Sequence, residues 1–261
     1  MDRVTLKEYS PFTPDRTVPP DMFVGRRMEI EEVRRYIGQA ASGRFQNLFL
    51  SGDRGIGKSS LGAYLKGLAV SDKNLLGIHV YLGKATSLEE MVRLVFDGLL
   101  REARTQGWFD AVKDLFGKHI TAIDIFNVSV TFRPPQEHLS QLVMAFPEAL
   151  TNLISKLRET RNGLFIVLDN INGLADSIQF ANWYKDLVDE IAKYDQFPVL
   201  MMVIGLPEQR ALLARNQQSL MRVFRIVEVG RLSNEEVTEF LKKAYTSAGV
   251  GVEEEVLQFM A

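Results

Sequence analysis

The sequence predicts an α/β fold: a five-stranded parallel sheet with helices on both faces. Three features of the chain predict it. Short apolar runs alternate with longer stretches of helical periodicity. The runs at 164–168 and 199–204 are unbroken, as strands covered on both faces must be. The run Leu48, Phe49, Leu50 passes into a glycine loop and then into a helical pattern, the unit from which parallel sheets are assembled.

Taken in order, residues 1–22 hold Pro11, Pro14, Pro19 and Pro20, which remove donors and disfavour helix, so an extended lead-in is expected. A helix over 26–41 places Ile30, Val33, Ile37 and Ala41 on one face. Strand one is 47–51, and the helix after the glycine loop carries Leu61, Leu65 and Leu68. Strand two is 77–82. Ser87 and Glu90 form a capping-box pattern that starts a long helix with Met91, Leu94, Val95 and Leu99 inward. Over 120–132 the apolar alternation of Ile123 and Ile125 slips phase at Phe126, Val128, Val130 and Phe132, which implies a bulge or a tight reversal. This is either a covering hairpin or an insertion that meets a partner. A helix over 137–160 is disturbed near Pro147. Strand three (164–168), a helix (177–194), strand four (199–204), a helix (207–215) and strand five (223–229) complete the alternation. Ser233 and Glu236 give a second capping box for a helix through 248, and a further helix begins at Glu253.

The loop reads Gly52, Asp53, Arg54, Gly55, Ile56, Gly57, Lys58, Ser59, followed by Ser60. This is G-x-x-x-x-G-K-S between a strand and a helix, the arrangement that cradles phosphates. Glycines let backbone N–H groups converge on an anion, and the helix N-terminus adds partial positive charge. Lys58 suits the β- and γ-phosphates, and the Ser59 hydroxyl suits Mg²⁺. Hydrolysis also needs an acid at the end of a neighbouring buried strand, and Asp169 stands there, the second magnesium candidate. Asn170 occupies the next position. An amide can hydrogen-bond a water but cannot take its proton, so hydrolysis is either slow or served by another acid, for which Asp53 and Asp176 are weak candidates.

Composition narrows the classes. A formal charge of −2 gives no global reason to bind nucleic acid directly. There is no cysteine, which removes disulfides and thiolate metal sites and fits a cytoplasmic setting. No apolar run is long enough to span a membrane. His79, His119 and His138 show no ligand spacing and read as surface or core residues. The paired cations Arg34–Arg35 and Lys242–Lys243 read as solvated helix faces. No N-K-x-D element reads guanine, and no acceptor-substrate motif points to a kinase.

Phe23, Val24, Gly25, Arg26 and Glu29 stand at the entry to the first helix, about 27 residues ahead of Gly52. With the phosphate loop and the strand ending in Asp169, this resembles the F-V-G-R-x-x-E element of AAA+ and STAND ATPases, nearest to archaeal and bacterial groups related to replication initiators. The resemblance implies the AAA+ strand order 5-1-4-3-2. It implies a base pocket lined by Phe23, Val24 and Gly25, with Arg26 holding the segment or touching nucleotide, and it implies ATP or ADP with Mg²⁺ as ligands. Leu220, Met221, Arg222, Val223 and Phe224 are similar to an L-x-x-R-F element, which would make Arg222 an arginine finger reaching a neighbouring subunit; an exposed structural arginine is the equal alternative. Arg231 to Glu236 is similar to the start of a helical lid. On this reading residues 1–230 form the nucleotide-binding domain and 231–261 the beginning of a truncated lid. The strand-four position that offers Asn, Ser or Thr to the γ-phosphate is not evident near Gly205. The implied activity is ATP hydrolysis coupled to conformational change; the alternatives are a slow nucleotide-gated switch or an ATPase adaptor in DNA transactions. A homo-oligomer or a protein partner is an open possibility.

Overall fold

Six apolar residues in a row cannot all face one side of a strand, so each long run in this chain must be covered twice. The computed structural model describes residues 17–19, 22–105, 120–123, 130–132 and 134–261. Most of the proline-rich lead-in, and the phase slip at Ile125, Phe126 and Val128, lie outside the described residues.

The elements follow the expected alternation: α1 (Arg27–Ala41), β1 (Gln46–Ser51), α2 (Lys58–Lys73), β2 (Leu76–Tyr81), α3 (Leu88–Thr105), β3 (Ile120–Ile123), β4 (Val130–Phe132), α4 (Gln136–Met144), α5 (Phe146–Leu157), β5 (Leu164–Asp169), α6 (Ile178–Ile191), β6 (Val199–Gly205), α7 (Pro207–Asn216), a 3₁₀ turn (Gln218–Arg222), β7 (Arg225–Glu228), α8 (Asn234–Ser247) and α9 (Glu254–Met260). The main sheet runs β2-β5-β6-β1-β7, all parallel, which is the 5-1-4-3-2 order of its strands. β3 and β4 pair antiparallel as a separate ribbon, with a register shift between Ile120 and Ala122.

Alternation along each strand sorts side chains between two cores. Leu48, Leu50, Phe165, Val167, Met202 and Ile204 pack with α1 and α2. Phe49, Ile166, Leu168, Met201 and Val203 pack beneath α3 to α7. The helix disturbed near Pro147 is two helices that break at Ala145, with proline in the first turn of the second, where its missing N–H leaves no gap. Strand five is shorter than the 223–229 expected. Phe224 turns inward, edge-on to Phe49 and tilted against Tyr184, and ladder pairing with Leu48 begins at Arg225.

One buried polar link ties the layers. Tyr184 is fully buried; its hydroxyl donates to Asn47 Oδ1 at 2.7 Å, and Asn47 Nδ2 donates to the Val223 carbonyl at 3.2 Å. Burial pushes the Tyr184 phenol far above its usual pKa, so it stays a neutral donor. Tyr184→Phe leaves the Asn47 oxygen short of a donor in a dry site and is expected to cost about 1–3 kcal/mol. Urea unfolding measures this; an unchanged midpoint would show that the bond contributes nothing.

Candidate functional site

The loop between β1 and α2 is shaped by what its backbone must do. Gly55 and Gly57 have φ of 78° and 94°, left-handed values that side chains resist. Gly52 answers a different demand: a Cβ there would meet the Val229 carbonyl oxygen at 2.5 Å, where β7 runs beside the loop. The first intrahelical bond of α2 runs from Leu61 N–H to Gly57 O at 2.9 Å, and Gly57 provides no side-chain cap. The N–H groups of Lys58, Ser59 and Ser60 therefore have no carbonyl one turn behind them, the electrostatics of an anion seat.

The Lys58 ammonium folds over this loop and donates to the carbonyls of Gly52 and Asp53 at 2.8 and 2.7 Å. Partial burial lowers its pKa, against the opposing pull of Asp169, Asp53 and Glu208. Phosphate oxygens are stronger acceptors than these carbonyls, and four flexible methylenes let the ammonium change partners.

Asp169 closes β5 in register with Tyr81 of β2 and Ile204 of β6, at the carboxyl edge of the sheet beside the loop. It is 4% exposed, and its Oδ2 lies 2.8 Å from His79 Nε2. Asn170 follows with φ 61°, a left-handed conformation that asparagine tolerates better than glutamate does. Its Nδ2 donates to the Tyr81 hydroxyl at 2.5 Å. Lys58, Ser59, Asp169 and Asn170 line one cleft of about 200 Å³, together with Arg54, Gly205 and Gln209. Gln209 is buried; its Oε1 accepts from Leu206 N–H at 2.8 Å and its Nε2 donates to Asn172 Oδ1. This pair puts an amide near the position where strand four itself offers no polar side chain.

The donors fit a hard cation. The Ser59 hydroxyl and the Asp169 carboxylate share the cleft, and both are oxygen ligands of the kind Mg²⁺ prefers. Among the described residues no group of three His, Cys, Asp or Glu side chains could hold a metal alone. Magnesium commonly takes only one or two protein ligands and completes its shell with water and phosphate.

The segment before α1 docks against the loop from the other side. Phe23 stacks on Tyr64 of α2, with centroids 4.5 Å apart and planes at 15°. Val24 is half-buried, and Gly25 and Arg26 take φ of 73° and 61°. The Arg26 guanidinium, 5% exposed, donates to the Ile56 carbonyl in the phosphate loop at 3.0 Å. Its backbone N–H donates to Glu236 Oε1 at 2.6 Å, while Glu236 Oε2 accepts from Ser233 N–H at 2.9 Å in the capping box of α8. Lys243 donates to the Phe23 carbonyl at 3.3 Å, so this residue does more than face solvent. Ser60 is buried, and its hydroxyl accepts from Val18 N–H at 3.0 Å.

Other expected residues are elsewhere. Asp53 is exposed on the loop, and Asp176 pairs with Arg215 at 3.5 Å outside the cleft lining. Arg222 is exposed at the end of the 3₁₀ turn, just before β7, and so at the sheet edge opposite the cleft. Sequence reading assigned no role to His79, Tyr81 or Gln209. The signal for the first two was present: Gly77, His79 and Tyr81 alternate on one face of β2. It acquires meaning only when the register sets that face beside Asp169.

A family model described as an AAA ATPase domain matches residues 22–192. No curated protein matches. Among solved structures the chain is similar to the Aeropyrum pernix ORC2 protein in ADPNP–ADP complexes, with a TM-score of 0.59 and 16% identity over 94% of this chain and 58% of that one. It is similar to Cdc6p from Pyrobaculum aerophilum, with a TM-score of 0.50 and 15% identity over 96% and 57% of the two chains. It is also similar to the Aeropyrum pernix ORC1 protein in complex with DNA, with a TM-score of 0.50 and 14% identity over 91% and 53%. The chain thus spans somewhat more than half the length of these proteins, and at such identities the likeness establishes the shared fold.

Proposed function

The chain belongs to the AAA ATPase domain family, and from this we propose that it binds ATP and ADP in the cleft beside Lys58 and hydrolyses ATP slowly, with nucleotide state moving α8 and α9. The observation that carries the reading is the convergence of Lys58 and Ser59 with Asp169 and Asn170 on one cleft from two stretches of chain more than 100 residues apart. In this proposal the loop N–H groups and Lys58 hold the phosphate tail. Ser59 and Asp169 would hold Mg²⁺, which when bound offsets charge on the phosphate oxygens. Phe23, Val24 and Gly25 form one wall for adenine, and Arg26 fixes that wall to the loop through Ile56. Residues 231–261 act as a lid segment, linked to the base-binding segment by Glu236 and Lys243. The proposed setting is the cytoplasm; among the described residues no helix is long and apolar enough to cross a membrane.

A specific observation favours a second reading, a switch that binds nucleotide and turns over little. Asn170 stands where a base would act, with its amide committed to Tyr81. The ORC1 relative is described with DNA, but it is nearly twice as long as the span matched here, and this chain's charge is −2, so direct DNA contact is left out of the proposal. Arg222 would act only across a subunit boundary.

Titration with fluorescent ATP, ADP and GTP, paired with phosphate release, tests the proposal. Adenine nucleotide is expected to bind with a preference over GTP and with slow phosphate release. Binding without release supports the switch. No binding of either adenine nucleotide overturns both readings. Mass photometry with ATP decides Arg222: a strict monomer removes its role in trans.

A further inference from the structure

β2 is the edge strand of the sheet and contributes nothing to the loop, yet two of its side chains grip the end of β5. His79 and Tyr81 are two residues apart and so project to the same face. One meets Asp169 and the other meets Asn170, the two consecutive residues on which the proposed chemistry depends. We propose that His79 and Tyr81 are positioning residues that set the metal-side carboxylate and the water-side amide.

The chemistry of each contact is directional. An ionised carboxylate only accepts, so toward it His79 Nε2 is the donor to Asp169 Oδ2, and Oδ1 is the oxygen that His79 does not engage. The bond is sheltered: Asp169 and His79 side chains are 6% and 17% exposed. Close approach of α2 closes the space. A Cβ on Gly62 would stand 2.7 Å from Ile204 Cδ1 and 3.6 Å from His79 Cε1. Tyr81 does the corresponding work one residue on. By taking the Asn170 N–H it leaves the amide oxygen as the group able to order a water. Gly83 keeps room for this pair, since a Cβ there would meet Tyr81 Cε1 at 2.6 Å and Asn170 Nδ2 at 2.8 Å. Partners that orient a ligating carboxylate commonly change metal affinity 10–100-fold when removed.

This inference rests on the proposed nucleotide site, and the experiment separates the two. The probe is the affinity of fluorescent ADP as a function of Mg²⁺, with a parallel series in EDTA and direct Mn²⁺ binding by electron paramagnetic resonance. His79→Ala is expected to leave ADP affinity in EDTA unchanged while raising the divalent-ion midpoint about tenfold or more. His79→Gln, which retains a donor, is expected to recover part of the loss. Tyr81→Phe is expected to leave the metal midpoint unchanged and to lower phosphate release. Unchanged EDTA binding also reports that each variant is folded. If the parent binds ADP and His79→Ala keeps the parent's metal midpoint, or tightens it, the positioning role of His79 is overturned while the nucleotide site stands. Loss of ADP binding in EDTA by both His79 variants would mean that His79 serves the fold, and overturns the proposal equally. If the parent binds no nucleotide in either series, the site reading fails and takes this inference with it.

Discussion

Lys58→Ala is expected to lower ATP turnover by about 10²–10³-fold, the effect of deleting one preorganised donor to developing charge. Binding should weaken more for ATP than for ADP, because the ammonium serves the outer phosphates. Stability should move little. In the free protein the ammonium is partly desolvated, which lowers its pKa, and its two acceptors are neutral carbonyls of its own loop. Asp53 is exposed, so water can replace the lysine as donor to its carbonyl, whereas Gly52 is buried and its carbonyl loses part of its pairing. The measurement pairs phosphate release and nucleotide titration with a thermal melt. A variant that melts like the parent yet hydrolyses at the parent's rate would place the phosphate site elsewhere. A variant that collapses in the melt would show that the lysine brace is structural.

The parts of this architecture visible in the sequence are those set by local rules. Leu48 and Leu50 on one face with Phe49 on the other, and unbroken apolar runs in β5 and β6, state a sheet covered twice. The phosphate loop is equally local, because φ at Gly55 and Gly57 and the open N-terminus of α2 depend on neighbours in the chain. What could not be read is set by contacts between distant residues. Val223 and Phe224 look like the start of a strand, but the pocket beside Phe49 and Tyr184 captures the phenyl ring and delays pairing to Arg225. His79 looks like one polar residue in a buried strand until it stands beside a carboxylate 90 residues away. Lys243 looks solvated until the Phe23 carbonyl, 220 residues earlier, comes within reach. Arg26 sits between these cases. Its place before α1 is legible, whereas its anchor at Ile56 and the Glu236 contact on its N–H require the assembled fold.

Asn170→Glu decides between a slow enzyme and a switch, and two effects of opposite sign meet in it. The gain is chemical: a carboxylate beside the cleft can accept the proton of an attacking water, and a positioned general base contributes about 10²–10⁴-fold. The cost is conformational. The residue sits at φ 61°, where asparagine is tolerated and a longer side chain pays roughly 1–2 kcal/mol. The contact with Tyr81 survives the change, because the phenol that accepts from Asn170 can turn and donate to a carboxylate. The expected result is therefore a domain less stable by about 1 kcal/mol in urea whose phosphate release rises by about 10²-fold, with nucleotide affinity close to the parent's. Asn170→Gly is the control, since it relieves the backbone without adding a base and should gain no turnover. If the parent is silent and Asn170→Glu turns over, the natural chain is a switch whose missing part is the base. If Asn170→Glu folds, binds ATP with Mg²⁺ and still releases no more phosphate than the parent, position 170 does not limit the reaction. The limiting group must then come from outside the cleft, and Arg222 of an adjoining subunit becomes the next residue to test.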